Sequence, residues 1–215
     1  MIAVLASELD PEAQALVAGW SDAGAALLSA EDLCAPGWIF YPRDPTRGVA
    51  IVSGRRVKIC ELRAVVTRRP AVVAEELVRI NSADRAYVAA ETNAFLVAWL
   101  SALPCRVVNR PTPNSLCGPA WDALHWRAAA TKAGLAWDNS PTQKQAHIVV
   151  VCGSNALFAR NQREKLSALT LARIAKVEFL AVRVRGGKIC GASVAPDLAC
   201  KEVRAALLKL LVEAK

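Results

Sequence analysis

The sequence predicts an α/β protein: a doubly wound, mostly parallel sheet followed by a small α+β portion. Three observations carry this expectation. Over residues 1–135, short apolar runs alternate with helix-spaced segments, the order that builds parallel βαβ units. Two of the apolar runs end in basic, proline-containing tips, Thr67-Arg68-Arg69-Pro70 and Asn109-Arg110-Pro111. An α/β sheet presents ligand groups at its carboxyl edge in this way. After residue 146 the order changes to strand, helix, hairpin and helix.

Residues 2–6 form a short apolar strand, with no basic region ahead of it to suggest a signal peptide. Residues 11–18 and 23–33 have helical spacing, with Asp10 and Asp22 as candidate N-caps. Residues 38–41 read as a second strand, closed by Pro42. Residues 48–53 and 56–60 flank Gly54 as a hairpin. The strand 63–67 delivers Arg68 and Arg69, and residues 72–80 are helical. Residues 84–103 make the longest helix. Tyr87, Ala90, Glu91, Ala94, Phe95, Ala98 and Trp99 follow its i, i+3, i+4 rhythm. Pro104 ends it, residues 105–108 are a core strand, and residues 109–115 are a loop. Residues 119–133 are helical, with Gly134 as the C′ residue.

Residues 137–145 are polar and contain proline, which marks a linker and predicts two domains, 1–137 and 146–215. In the second, residues 147–152 are a buried strand, and Asn161 with Glu164 caps the helix 162–176. Residues 177–185 and 188–194 face each other across Gly186-Gly187. The last helix follows Pro196-Asp197, with Val203, Leu207, Leu210 and Leu211 as its apolar stripe.

Apolar residues make up 54% of the 215, enough to bury a sizeable core. The most apolar helix, 94–103, is too short to span a bilayer, so a cytoplasmic protein is expected. The seven cysteines form no C-x-x-C pair and there are two histidines. Small buried thiols are the expectation and a metal site is not. The net charge of +8 is unevenly spread: residues 1–40 carry six acids and no Lys or Arg, leaving +14 on the rest. That fits an anionic partner, two faces that attract each other, or a contact between subunits of a homo-oligomer. No basic stripe with interleaved aromatics appears, so nucleic acid is not the expected partner.

The candidate ligand-binding residues are Arg68, Arg69, Glu91, Asn109 and Arg110. An Arg pair at a strand end grips a carboxylate or phosphate bidentately; it equally suits an internal salt bridge to Glu75 or Glu76. Asn109 and Arg110 read as a binding tip or as a simple turn. Glu91, on what the pattern marks as the apolar side of its helix, needs a charged partner such as Arg68 or Arg110. Gly153-Ser154 after a strand lacks the G-x-x-x-x-G-K-[ST] pattern of a phosphate loop. No nucleophile motif is present, so no catalytic residue is assigned.

Together these residues resemble the amino-terminal domain of ATP-grasp ligases, most of all the ribosomal-peptide maturase and RimK-like branch. The matching residues are Arg68-Arg69-Pro70, Tyr87 and Glu91, Phe95-Leu96, Val107-Val108-Asn109-Arg110-Pro111, and Ala130 to Gly134-Leu135, spanning roughly residues 60–140. Residues 166–184 and 192–196 resemble the end of an ATP-grasp domain. The resemblance implies descent from enzymes that make an acyl-phosphate with ATP and magnesium and then an amide or ester. It also implies a central ATP-clamping subdomain about where residues 138–147 stand, and magnesium-binding acids late in the chain. There the sequence has no room for a subdomain and offers Arg183 and Ala192-Ser193-Val194. It has Ala123 or Leu124 where the family commonly has Lys. The expectation is therefore a degenerate, non-catalytic ATP-grasp-like subunit of a biosynthetic pathway. It needs no cofactor and binds a small anionic ligand, a peptide or a partner protein. The alternatives are an ATP- and magnesium-dependent carboxylate–amine ligase, minimal or completed by a partner subunit, and a dimeric structural protein.

Overall fold

Buried apolar residues, β-branched in three of the four strands, build a parallel sheet in the first half. In the computed structural model, which describes residues 1–140 and 146–213, Met1–Gly118 and the C-terminal residues from Leu211 form one unit, and Pro119–Leu210 the other. In the first unit β1 (Ile2–Leu5) is flanked by β2 (Ala25–Leu28) and by β5 (Ala64–Thr67), which pairs with β6 (Arg106–Val108). Ile2 lies opposite both Ala25 and Ala64. Every residue of β1 and β5 is buried, as expected of parallel strands covered on both faces. The strand order reverses between β1 and β5, so their carboxyl ends flank the crevice where α/β sheets place ligands. A two-stranded hairpin, β3 (Val49–Val52) and β4 (Arg55–Lys58), joins the β2 side through Ser53, whose N–H donates to Leu27 O at 3.1 Å.

The helix α1 (Pro11–Gly19) starts as predicted: Asp10 accepts from the N–H groups of Glu12 and Ala13, and Pro11 occupies the first turn. The predicted helix 23–33 is not one helix. Gly24, at φ 71°, ends a 3-10 turn; Ala25–Leu28 then pairs with β1, and only α2 (Ala30–Cys34) is helical. Tertiary pairing with β1 overrides the helix propensity of Ala-Ala-Leu-Leu. The predicted strand 38–41 reduces to one bridge between Ile39 and Val49. The predicted helix 72–80 reduces to the 3-10 turn Ala74–Glu76. Its start is held extended by Asn93, whose side chain accepts from Val72 N–H at 2.9 Å and donates to Val72 O at 2.8 Å.

The long helix α3 (Arg85–Ala102) exists, and Phe95 and Trp99 of the predicted face pack inward, but the rest of that face is rotated out. Its buried residues are Ala89, Leu96, Trp99 and Leu100. Tyr87 is 69% exposed, and Ala90, Glu91, Ala94 and Ala98 also face solvent. A helix this rich in alanine is apolar all round, and the large side chains choose the side. Trp99 meets Trp38 edge-on at 5.3 Å, and Phe95 meets Trp38 and Phe40.

The second unit contains an antiparallel sheet in the order β10-β9-β7-β8: β7 (His147–Cys152), β8 (Asn155–Leu157), β9 (Phe179–Arg185) and β10 (Lys188–Ser193). Trp126 and Ala130 of α4 (Ala123–Lys132) share its core with Ala168, Leu171, Ala172 and Ala175 of α5 (Gln162–Ala175). Val149, Val151, Leu180, Val182 and Val184 of the sheet complete that core. The helix α4, which the sequence reading places in the first domain, thus packs within the second unit. Gly153-Ser154 is the tight turn into β8. Gly153 has φ 61°, and a Cβ there would meet Leu210 Cδ1 at 2.8 Å, so the turn requires glycine. The last helix is α6 (Lys201–Val212). Among the described residues no helix is long and apolar enough to cross a membrane.

Candidate functional site

Arg68 follows β5 directly and is used internally. Its Nε donates to Asp10 Oδ2 at 2.8 Å and its Nη2 to Glu12 Oε2 at 2.6 Å. Burial alone would raise the Asp10 carboxyl. Hydrogen bonds from Arg68 and from the N–H groups of Ala13 and Glu12 hold it below its ordinary value. One carboxylate thus caps α1 and anchors the tip of β5. Arg69 is buried, pairs with Glu76, and donates from Nε to Ala71 O at 3.0 Å. Burial lowers its guanidinium from the ordinary value, and its Nη1 has no hydrogen-bond partner among the described residues.

The second tip touches the first through the backbone: Leu116 N–H donates to Pro70 O at 2.8 Å, and Thr67 Oγ1 donates to Val108 O and Asn109 O at 3.3 Å. Asn109 is buried, with its amide 3.5 Å from Cys117 O. Arg110 turns back to α3, donating from its two Nη atoms to the carbonyls of Leu100, Ser101, Leu103 and Cys105. It closes a helix C-terminus, as basic side chains there do. The structure therefore brings Arg68, Arg69 and Asn109 together at the carboxyl ends of β5 and β6. It sends Arg110 elsewhere and leaves Glu91 on the exposed outer face of α3. The Arg69–Glu76 pair is one of the alternatives the sequence offers, whereas the expected Glu91–Arg contact is not made, Glu91 lying on the exposed face of α3.

The open concavity lies on the other side of the switch point. A cavity of about 510 Å³ follows the carboxyl ends of β1 and β2, a size typical of ligand sites. Ser7, Glu8 and Leu9 from the β1 loop face Ala30, Glu31 and Cys34 of α2, and the segment 75–79 closes it. Its walls hold four carboxylates, Glu8, Glu31, Glu75 and Glu76, and one cation, Arg79. Glu76 is neutralised from behind by Arg69, and Arg79 reaches across to Glu31. Burial pushes the Cys34 thiol up, which disfavours its thiolate. A second cavity of about 420 Å³ shares Glu8, Glu31 and Arg79 and adds Asp32, Ser53 and Gly54. Asp32 is already occupied: it accepts from the N–H groups of Ser29, Ser53 and Gly54. The individual residues of this cleft carry no motif; the run of acids without a base in residues 1–40 is the one sequence signal for it.

The late strands do not suit magnesium. Arg183 lies opposite Gly191 in the β9–β10 register, and a Cβ on Gly191 would sit 2.7 Å from Arg183 Nη2. Ala192 and Ser193 follow. Magnesium demands oxygen ligands, chiefly carboxylates. Among the described residues no three His, Cys, Asp or Glu side chains are grouped to hold a metal. The basic tip of this hairpin is tied back instead: Arg185 Nε donates to Asp138 Oδ2 at 2.6 Å. Beneath the sheet, buried Glu164 accepts from Arg160 N–H at 2.9 Å and pairs with His147 Nε2 at 3.0 Å.

No protein-family model and no curated protein matches the sequence. Solved structures do match the fold. The ATP-grasp ligase PsnB complexed with minimal precursor aligns at 12% identity and a TM-score of 0.68, covering 97% of this chain and 98% of that one. The macrocyclase MdnC of Microcystis aeruginosa, bound with precursor peptide MdnA, aligns at 10% identity and a TM-score of 0.69 over 99% of each chain. A RimK domain protein ATP-grasp of Sphaerobacter thermophilus aligns at 15% identity and a TM-score of 0.56, again over 99% of each. The fold of this chain is that of the RimK-like ATP-grasp ligases.

Proposed function

We propose that the protein is a binding or accessory subunit of a peptide-modification pathway, with the ATP-grasp fold but without ligase activity of its own. The reading is supported by the β9–β10 pair, which carries Arg183 and Ala192-Ser193 where the resemblance to ATP-grasp ligases implies magnesium-binding acids. Phosphoryl transfer depends on positioned metal and neutralised charge, and a guanidinium at that strand repels magnesium. The length of chain between Trp137 and His147 also leaves no room for an ATP-clamping subdomain. The peptide partner is supported by the fold neighbours PsnB and MdnC, both solved with precursor peptides. Arg68, Arg69, Asn109 and Arg110 shape the sheet edge in this reading, because most of their polar groups, Arg69 Nη1 excepted, are engaged by Asp10, Glu12, Glu76 and backbone carbonyls.

The purified protein is expected neither to hydrolyse ATP nor to gain thermal stability from ATP with magnesium. A ligand-dependent shift of several degrees overturns the reading, since any ligand that binds only the folded state raises the melting temperature. The second reading is an ATP-dependent carboxylate–amine ligase, minimal or completed by a partner subunit, and the likeness to the ATP-grasp ligase PsnB favours it. ADP release that requires both a carboxylate-rich peptide and magnesium would establish it.

A further inference from the structure

The cleft at the carboxyl edge of β1 and β2 has the make-up of a recognition site, and neither the fold nor the reading above assigns it. Its floor is apolar, formed by Ala30, Cys34 and buried Leu77. Two large apolar side chains on separate loops, Leu9 at 90% exposure and Val78 at 71%, line the same opening. A single exposed apolar side chain is ordinary; two converging on one concavity mark an interaction surface. The charge is one-sided. Glu8 and Glu75 are exposed and make no ion pair with any described residue. Glu31 is paired with Arg79, and both side chains are exposed.

We propose that this cleft takes a cationic peptide segment with flanking apolar residues, whose Lys or Arg displaces Arg79 from Glu31. The proposal rests on the peptide-binding reading and specifies its partner class and its place. Arg79 is a built-in surrogate for the ligand's cation. It belongs to the walls of both cavities, as do Glu8 and Glu31. An exposed ion pair holds weakly and is screened by salt, so exchanging one cation for another at Glu31 meets little resistance. The apolar floor and rim select a peptide over a compact polyamine, because a polyamine leaves Leu9, Val78 and Leu77 uncovered. An acidic peptide meets like charge on both walls and is rejected.

The test is fluorescence anisotropy of the full chain with a labelled peptide alternating Lys and Leu. A Glu/Leu peptide and spermine serve as comparisons, at low and at physiological salt. Glu31→Gln and Glu8→Gln are expected to weaken Lys/Leu binding by about three- to tenfold each, the range of one partly exposed charge pair. Arg79→Ala is expected to tighten it by about two- to fivefold, because the internal competitor is gone. Leu9→Ser weakens it without changing the salt dependence. All four side chains are exposed, so the variants fold, and their thermal melts verify this. The proposal is overturned if Glu8→Gln and Glu31→Gln leave affinity unchanged, if Arg79→Ala weakens binding, or if spermine competes as well as the peptide. Self-association abolished by the same variants would assign the cleft to a second copy and overturn it too. Binding of the Glu/Leu peptide alone overturns the cleft assignment and leaves the peptide-binding reading standing. Absence of binding by either peptide counts against both.

Discussion

Arg110 gives the sharpest statement about single residues. Its guanidinium satisfies the carbonyls of Leu100, Ser101, Leu103 and Cys105 where α3 ends. Arg110→Ala leaves them to water or to nothing, and urea denaturation is expected to show a loss of about 1–2 kcal/mol. The same variant is expected to leave peptide affinity unchanged, which separates a closing residue from a binding one. Arg68 works through Asp10 and Glu12. The Asp10 carboxyl sits below its ordinary value in the folded chain. It therefore contributes stability above the unfolded carboxylate pKa of about 4 and loses it as pH falls towards the folded value. Arg68→Ala is expected to destabilise the protein by about 1–3 kcal/mol at neutral pH, a deficit that shrinks as pH drops below about 4. Denaturation midpoints of both proteins across that range check this. The tips themselves were legible, because β-branched runs stop at Arg-Pro. Of their partners, the nearby Glu76 of Arg69 was among the offered ones, but the distant ones were not legible: Arg68 and Asp10 lie 58 positions apart, and composition says nothing about which of the six acids of residues 1–40 a strand topology will deliver.

Among the elements, those whose boundaries are set by local chemistry were readable. Asp10 before Pro11, Asn161 before Glu164, and Gly186-Gly187 between two strands all do in the structure what their chemistry demands. Elements decided by distant pairing were not readable, as Ala25–Leu28 and the rotation of α3 illustrate. In α3 the sequence rhythm selected Phe95 and Trp99 correctly but also Tyr87, Glu91 and three alanines, whereas packing buries Ala89, Leu96, Trp99 and Leu100. Trp99→Ala removes the largest fully buried side chain of that helix together with its contact to Trp38. It is expected to cost about 3–5 kcal/mol, read as a lowered melting temperature. Glu164→Ala orphans Arg160 N–H and His147 at the start of α5. It is expected to cost about 2–3 kcal/mol, measured by urea denaturation.

At the scale of the whole molecule, the charge asymmetry of the sequence suggested an anionic partner, two faces that attract each other, or a contact between copies. The structure spends much of the acidic side locally: Asp10 and Glu12 on Arg68, Asp32 on three backbone N–H groups, Glu31 on Arg79. Acids consumed in this way contribute little to a long-range contact. Gel filtration is therefore expected to show the same elution position at low and high salt. A shift to later elution at high salt would show that an electrostatic assembly had been screened apart.

The clasp at Asp32 has one further consequence. The strand β2 is the outermost of its parallel sheet, and an outer strand is a template on which foreign chains add. Here Ser53 covers Leu27 O with both its N–H, at 3.1 Å, and its Oγ, at 3.0 Å. Asp32 keeps Ser53 and Gly54 in that position. Losing the carboxylate is therefore expected to bare that edge. In Asp32→Ala the expected early sign is turbidity that grows with protein concentration, well below the temperature at which the fold melts.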